Sequence, residues 1–99
     1  MSHETANQAY WDRADEIIRL ANQQCHNEEN GKVSSSLLFA TARFNAFIIA
    51  SSTKNAEEMK QDKAAAIKYF SEQYQQMLTE NIDDYIQNYE QNIEESRKS

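Results

Sequence analysis

Arg43 raises the main chemical question of the sequence, because it lies in the middle of the most apolar stretch, residues 33–50. A guanidinium in such surroundings could bind the carboxylate or phosphate group of a ligand. Alternatively, it forms an internal ion pair. Residues 7–29, 34–51 and 56–96 are each predicted to be helical, as described below. When these helices are aligned antiparallel, Glu16 and Asp62 come within about one helical turn of Arg43. Since an unpaired buried charge is strongly destabilising, we expect an ion pair with one of these acids.

Cys25 and His26 are adjacent residue types that could form a metal site or a nucleophile. Neighbouring residues on a helix point about 100° apart, however, so the pair does not form one site by itself. The sequence also lacks a second cysteine, a Glu-x-x-His pair and a glycine-rich phosphate loop. We therefore predict no catalytic residue, no metal and no cofactor, with Cys25 packed as a small apolar side chain.

The charge of the chain is acidic and unevenly distributed. Its formal net charge is −6, and residues 71–99 hold seven acids against two bases, a net of −5. Nucleic acids and anionic membranes are bound by clustered lysines and arginines, and the sequence has no such cluster. We therefore expect neither partner.

The cysteine content and the N-terminus bear on the cellular compartment. One cysteine cannot form an intramolecular disulfide, so a disulfide framework is excluded. The first ten residues, MSHETANQAY, lack the basic start and apolar core of a signal peptide. These features predict a cytoplasmic protein.

Proline is absent and Gly31 is the only glycine, which favours long helices over tight hairpins. The spacing of apolar residues predicts a first helix over 7–29, with Gly31 as a left-handed C-cap residue. A second helix over 34–51 would begin at Ser34. Because it is apolar nearly all round, we predict that it is the buried centre of a soluble bundle.

The third predicted helix covers 56–96, and its start has the spacing of a capping box, with Asn55 as N-cap and Glu58 at N3. An alternative break lies near Asn81, which could cap a new helix. The segments 1–6 and 97–99 are expected to fray. The result is an all-α fold: one domain, residues 1–99, formed by an antiparallel bundle of three helices.

The third helix is longer than the other two, so its C-terminal part extends beyond them by about 35 Å. This part carries an apolar stripe that a second copy of the chain would cover, and a two-fold dimer is the commonest arrangement. The predicted dimer or partner interface consists of Tyr74, Leu78, Ile82, Tyr85, Ile86, Tyr89 and Ile93.

Two main functional hypotheses follow from these patterns. The first is a non-catalytic, homodimeric protein-interaction module that uses the C-terminal helix. The alternative is a helical bundle that binds a small molecule or anion at Arg43. Such a bundle could also be an enzyme. Membrane association through the second helix is a weaker idea, because that helix would have to leave the core.

Three segments resemble a known family: ADEIIRLANQQ, GKVSSSLLFATARFNAFIIASS and YFSEQYQQMLTENIDDYIQNY. They resemble a small proteobacterial family of uncharacterised all-helical proteins, a domain of unknown function. The similarity extends from about Tyr10 to Tyr89, and the GKVS and ARFNAF segments are its most distinctive parts. It implies a small helical bacterial protein of the cytoplasm and assigns no catalytic or binding residue.

Overall fold

The computed structural model describes residues 2–91 and 93, with side chains from residue 7 onward. The described chain contains helices and no strand, so the all-α prediction is confirmed. The three helices are α1 (Ser2–Gln24), α2 (Asn30–Ser52) and α3 (Ala56–Gln87). They fall into two compact units, Met1–Ser52 and Thr53–Ser99. The packing of α3 in a three-helix bundle stays a prediction, as does the single domain.

The first unit is a helical hairpin whose turn begins earlier than predicted. The backbone N–H groups of His26 and Asn27 donate to the carbonyl oxygens of Gln23 and Gln24, each at 3.2 Å. These i→i−3 bonds tighten the end of α1 and satisfy its last carbonyls without a left-handed residue. The predicted end at residue 29 is therefore wrong.

Gly31 is part of α2, and no described glycine has a positive φ, so its prediction as a C-cap is wrong. The carbonyl oxygen of Glu29 accepts from the N–H groups of Lys32 at 3.0 Å and Val33 at 3.2 Å. The first turn of α2 thus closes on Glu29, and the helix begins at Asn30, four residues before the predicted start. The backbone of residues 2–6, which we expected to fray, belongs to α1.

The second helix, α2, contains no buried residue, and its burial at the centre of a bundle stays a prediction, because that burial requires α3 as well as α1. Phe39, Phe44 and Phe47 are each more than 60% exposed. The physical reason within the first unit is simple: α1 is the one neighbouring helix, and one neighbour covers one face. By length and mean hydropathy of 1.4, α2 could also span a membrane, as many core helices of soluble proteins could.

The third helix, α3, begins where the capping box predicted. Asn55 Oδ1 accepts from the backbone N–H of Glu58 at 2.9 Å, and Glu57 and Glu58 lie at the positive helix end. The helix continues through Asn81, whose Nδ2 donates to the carbonyl oxygen of Met77 at 2.8 Å. Because this amide bonds to the preceding turn, it does not cap a new helix, and the alternative break is wrong.

The predicted end of the third helix, residue 96, is also wrong. The helix stops at Gln87, where the N–H of the C-cap residue Asn88 donates to the carbonyl oxygen of Asp84 at 3.0 Å. The Asn88 side chain donates to the same carbonyl at 3.3 Å, so it competes for the backbone acceptor. Residues 89–91 and 93 are again helical, whereas 97–99, predicted to fray, lie outside the described residues.

We predict that Asn55→Ala lowers the free energy of unfolding by about 1 kcal/mol, because the N–H of Glu58 loses its acceptor. Urea denaturation followed by circular dichroism measures the change. Asn55→Asp is the matched control, since its carboxylate keeps the acceptor and suits the helix N-terminus. Equal stability of Asn55→Ala and the parent protein would contradict the capping role.

Candidate functional site

Arg43, Glu16 and Asp62, the residues of the predicted ion pair, all have exposed side chains. In the part of the chain that the structure describes, the salt bridge is Lys32 Nζ to Glu28 Oε1 at 3.4 Å, and Arg43 has no carboxylate within 4.0 Å. Arg43 and Glu16 belong to the same hairpin but do not form a pair there. The ion pair involving Arg43 therefore stays a prediction.

Cys25 and His26 lie in the turn that follows α1. The thiol of Cys25 is free and half-buried, whereas His26 is exposed. Over the described residues, no three His, Cys, Asp or Glu side chains come close enough to hold a metal ion together.

The hairpin forms a cavity of about 270 Å³, open to solvent, where α1 and α2 converge at their turn. Its apolar lining is Ile17, Leu20, Ala21, Val33, Leu37 and Ala40, and its polar lining is Gln24, Glu28, Lys32 and Ser36. The Lys32–Glu28 salt bridge therefore belongs to the polar part of the cavity wall. Both of these side chains are at least half exposed, so the pair adds little to stability.

Sequence reasoning did not find this cavity. The apolar spacing of α1 included Ile17 and Ala21, but the premature end of α1 and early start of α2 bring the turn closer to them. A signal was present in Glu28 and Lys32, whose i, i+4 spacing suits a salt bridge on a helix. Their position across the turn from α1 depended on where the helices end.

The most extended candidate surface is the apolar stripe of α3. Five apolar residues, Tyr74, Met77, Leu78, Ile82 and Tyr85, fall within an arc of about 140° on a helix of 3.6 residues per turn. The side chains of this stripe are between 42% and 50% exposed: Tyr74, Met77, Leu78, Ile82 and Tyr85. We call these five residues the α3 stripe.

The remaining residues of the predicted interface lie beside or beyond the α3 stripe. Ile86 is 68% exposed and borders it, whereas Tyr89, 57% exposed, follows the interruption at Asn88. Ile93 is half-buried. The structure thus keeps Tyr74 to Ile86 on one continuous helix, with Tyr89 and Ile93 past its end.

Residues 10–86 match the model of a protein family described as a protein of unknown function, DUF3144. The chain belongs to this family. The matched span includes most of α1, all of α2 and α3 up to its last residue but one. This result confirms the predicted resemblance to a domain of unknown function.

A solved structure is also similar to this chain: the NMR structure of the protein NB7890A from Shewanella sp. The two sequences are 40% identical, and the match covers 82% of this chain and 86% of that one, with a TM-score of 0.71. The comparison with curated proteins gave no match. The relatives therefore support the family and the helical fold and carry no activity with them.

For Arg43→Met, we predict a change in the free energy of unfolding within about 0.5 kcal/mol, because the guanidinium is exposed and none of the described carboxylates of the hairpin lies within 4.0 Å of it. Arg19→Met, at another exposed arginine of the same hairpin, is the control. A loss of about 3–5 kcal/mol confined to Arg43→Met would instead establish a buried ion pair.

For Leu37→Ala, we predict a loss of about 1–2 kcal/mol, because Leu37 lines the cavity and is 36% exposed. Leu38 is the matched control: the same residue type at the next position, 53% exposed and outside the cavity lining. Thermal unfolding of the two variants should differ, with Leu38→Ala the less affected. Equal losses would show that the cavity wall does not hold the hairpin together.

Proposed function

We propose that this protein is a non-catalytic helical interaction module of the cytoplasm, which forms a homodimer through α3. The observation that carries the proposal is the α3 stripe, a row of five large apolar side chains on one continuous helix. A contiguous apolar surface of this kind marks an interaction site in a soluble protein.

The composition of the second unit supports this proposal. Its described residues contain one long helix, so no second helix of that unit is available to cover the stripe. An isolated amphipathic helix is only marginally stable in water, because most helical stability comes from packing of its apolar face. Two copies that pack their stripes together would cover both at once, which is the usual two-fold solution.

The chemistry of the stripe also suits a protein interface. Tyr74 and Tyr85 each combine a large apolar ring with a hydroxyl group that can reach solvent or a polar partner. Tyrosine and methionine are enriched in interfaces relative to the rest of a protein surface, and Met77 lies between the two tyrosines. The stripe therefore combines apolar area with a tyrosine hydroxyl group at each of its two ends along the helix.

The anion-binding alternative receives less support from the structure. It requires a cavity beside Arg43 and a guanidinium that no internal carboxylate neutralises. Within the described part of the hairpin, Arg43 has no carboxylate within 4.0 Å, which agrees with the second requirement. The cavity of the hairpin, however, ends at Ala40 on α2, and Arg43 is not among the residues that line it.

The homodimer is tested by sedimentation equilibrium at tens of micromolar, with Leu78→Lys as the disrupting variant. We expect a dimer for the parent protein and a dissociation constant at least about 10-fold weaker for Leu78→Lys, since a charge would have to enter the apolar contact. Gln76→Lys is the matched control, because it adds the same charge to a fully helical, exposed position outside the stripe. A strictly monomeric parent protein would refute the proposal.

A further inference from the structure

The central part of α3 has apolar residues at equal distances on either side of Glu72. Phe70 and Tyr74 lie two residues from it, and Ile67 and Met77 lie five residues from it. These four residues have the alternating three- and four-residue gaps of a heptad seam, with Ile67 and Tyr74 at position a. Phe70 and Met77 then occupy position d. Glu72 projects about 180° from the seam, toward solvent.

This symmetry is the condition for pairing with a second copy in the antiparallel direction. When two antiparallel helices pack through heptad seams, the a residue of one helix lies level with a d residue of the other. With the two-fold axis at Glu72, Phe70 lies level with the partner's Tyr74, and Ile67 lies level with the partner's Met77. Because the axis repeats each pair, the seam consists of four apolar layers.

The next layer outward is polar and complementary. Lys63 and Asn81 lie nine residues on either side of Glu72, on the same seam. Nδ2 of Asn81 already donates to the carbonyl oxygen of Met77, so Oδ1 of the same amide is the group that can accept from a donor on another chain. The ammonium of Lys63 is such a donor. A polar pair in an otherwise apolar seam is a known device that fixes register.

The distribution of charge favours the antiparallel direction over the parallel one. Residues 56–71 of α3 contain three acids and three bases, whereas residues 72–87 contain four acids and no base. Parallel pairing would place the two acidic halves side by side. Antiparallel pairing places each acidic half beside the half that holds Lys60, Lys63 and Lys68, which avoids the like-charge repulsion.

The bounds of α3 agree with this axis. The helix covers Ala56–Gln87, so its midpoint lies within one residue of Glu72 and the two copies overlap over their whole length. An axis farther along the chain, between Ile82 and Tyr85, would also pair apolar residues. That register needs Tyr89 on the same helix as Leu78, but α3 ends before Tyr89 and Asn88 interrupts the helix.

From these observations we infer that α3 pairs with a second α3 in antiparallel orientation, with the two-fold axis at Glu72, through a seam that includes Tyr74 and Met77 of the α3 stripe. This inference rests on the proposed homodimer and specifies its geometry. It moves the centre of the interface from the C-terminal end of the chain to Ile67, Phe70, Tyr74 and Met77, and it gives Lys63 and Asn81 the role of setting the register.

Cysteine cross-linking tests the orientation, in a Cys25→Ser background that removes the native thiol. Ile67 and Met77 are about 15 Å apart along one helix, so cysteines at these positions do not join within a chain. In the antiparallel dimer, the double variant Ile67→Cys/Met77→Cys forms a covalent dimer on oxidation. Each single variant stays uncross-linked, because its two cysteines are about 15 Å apart.

A spin-label distance gives a second reading that leaves the seam intact. The side chain of Asp83 is exposed and projects away from the seam, so Asp83→Cys accepts a label there. The antiparallel dimer separates the two labels by about 33 Å along the helix, whereas a parallel dimer brings them to the same level.

The outcomes separate this inference from the proposed function. A dimer in sedimentation, with cross-linking of the double variant and a long label distance, supports both. A dimer whose single-cysteine variants cross-link, or whose labels lie at one level, overturns the antiparallel inference and leaves the homodimer intact. A dimer that forms none of these cross-links overturns the Glu72 register in the same way. A monomeric protein overturns both.

Discussion

A single helix cannot bury its own apolar face, and this constraint governs each part of the described chain. In the hairpin, α1 and α2 converge at their turn, and this leaves the phenylalanines of α2 largely exposed. In the second unit, α3 is the one long helix. Helical stability in water depends on covering such faces. The question of what this protein does is therefore largely the question of what covers its helices.

The same constraint explains why α3 is the better place to look for a partner than Arg43. A guanidinium on an exposed surface is satisfied by water and requires nothing further. A row of half-exposed tyrosine, leucine, isoleucine and methionine side chains gains free energy whenever it is removed from water. The apolar surface therefore favours association, whereas the hydrated guanidinium of Arg43 neither favours nor opposes it.

The sequence predicted the all-α fold, the three helices and the start of α3, because these depend on local signals. Asn55 and Glu58 lie three residues apart, and nothing distant decides whether they cap a helix. The ends of α1 and α3 were predicted less well, since backbone bonds of His26, Asn27 and Asn88 close those helices early. Because these bonds close α1 before residue 31, Gly31 does not need a left-handed conformation, and it lies inside α2. The burial of residues 33–50 stays a prediction for another reason: their periodicity shows that they are apolar, but not which neighbouring helix covers them.

The short turn between α1 and α2 has a consequence for the order of folding. Only five residues separate the two helices, so the chain entropy lost on closing the hairpin is small. Contacts between such near neighbours form within microseconds to milliseconds. In the proposed dimer, packing of α3 against a second chain would instead be a second-order reaction, whose rate depends on protein concentration. At the low protein concentration during synthesis, chains with a folded hairpin and an unpaired α3 would accumulate first. The concentration of the protein in the cell would then set the rate at which α3 pairs with a second copy.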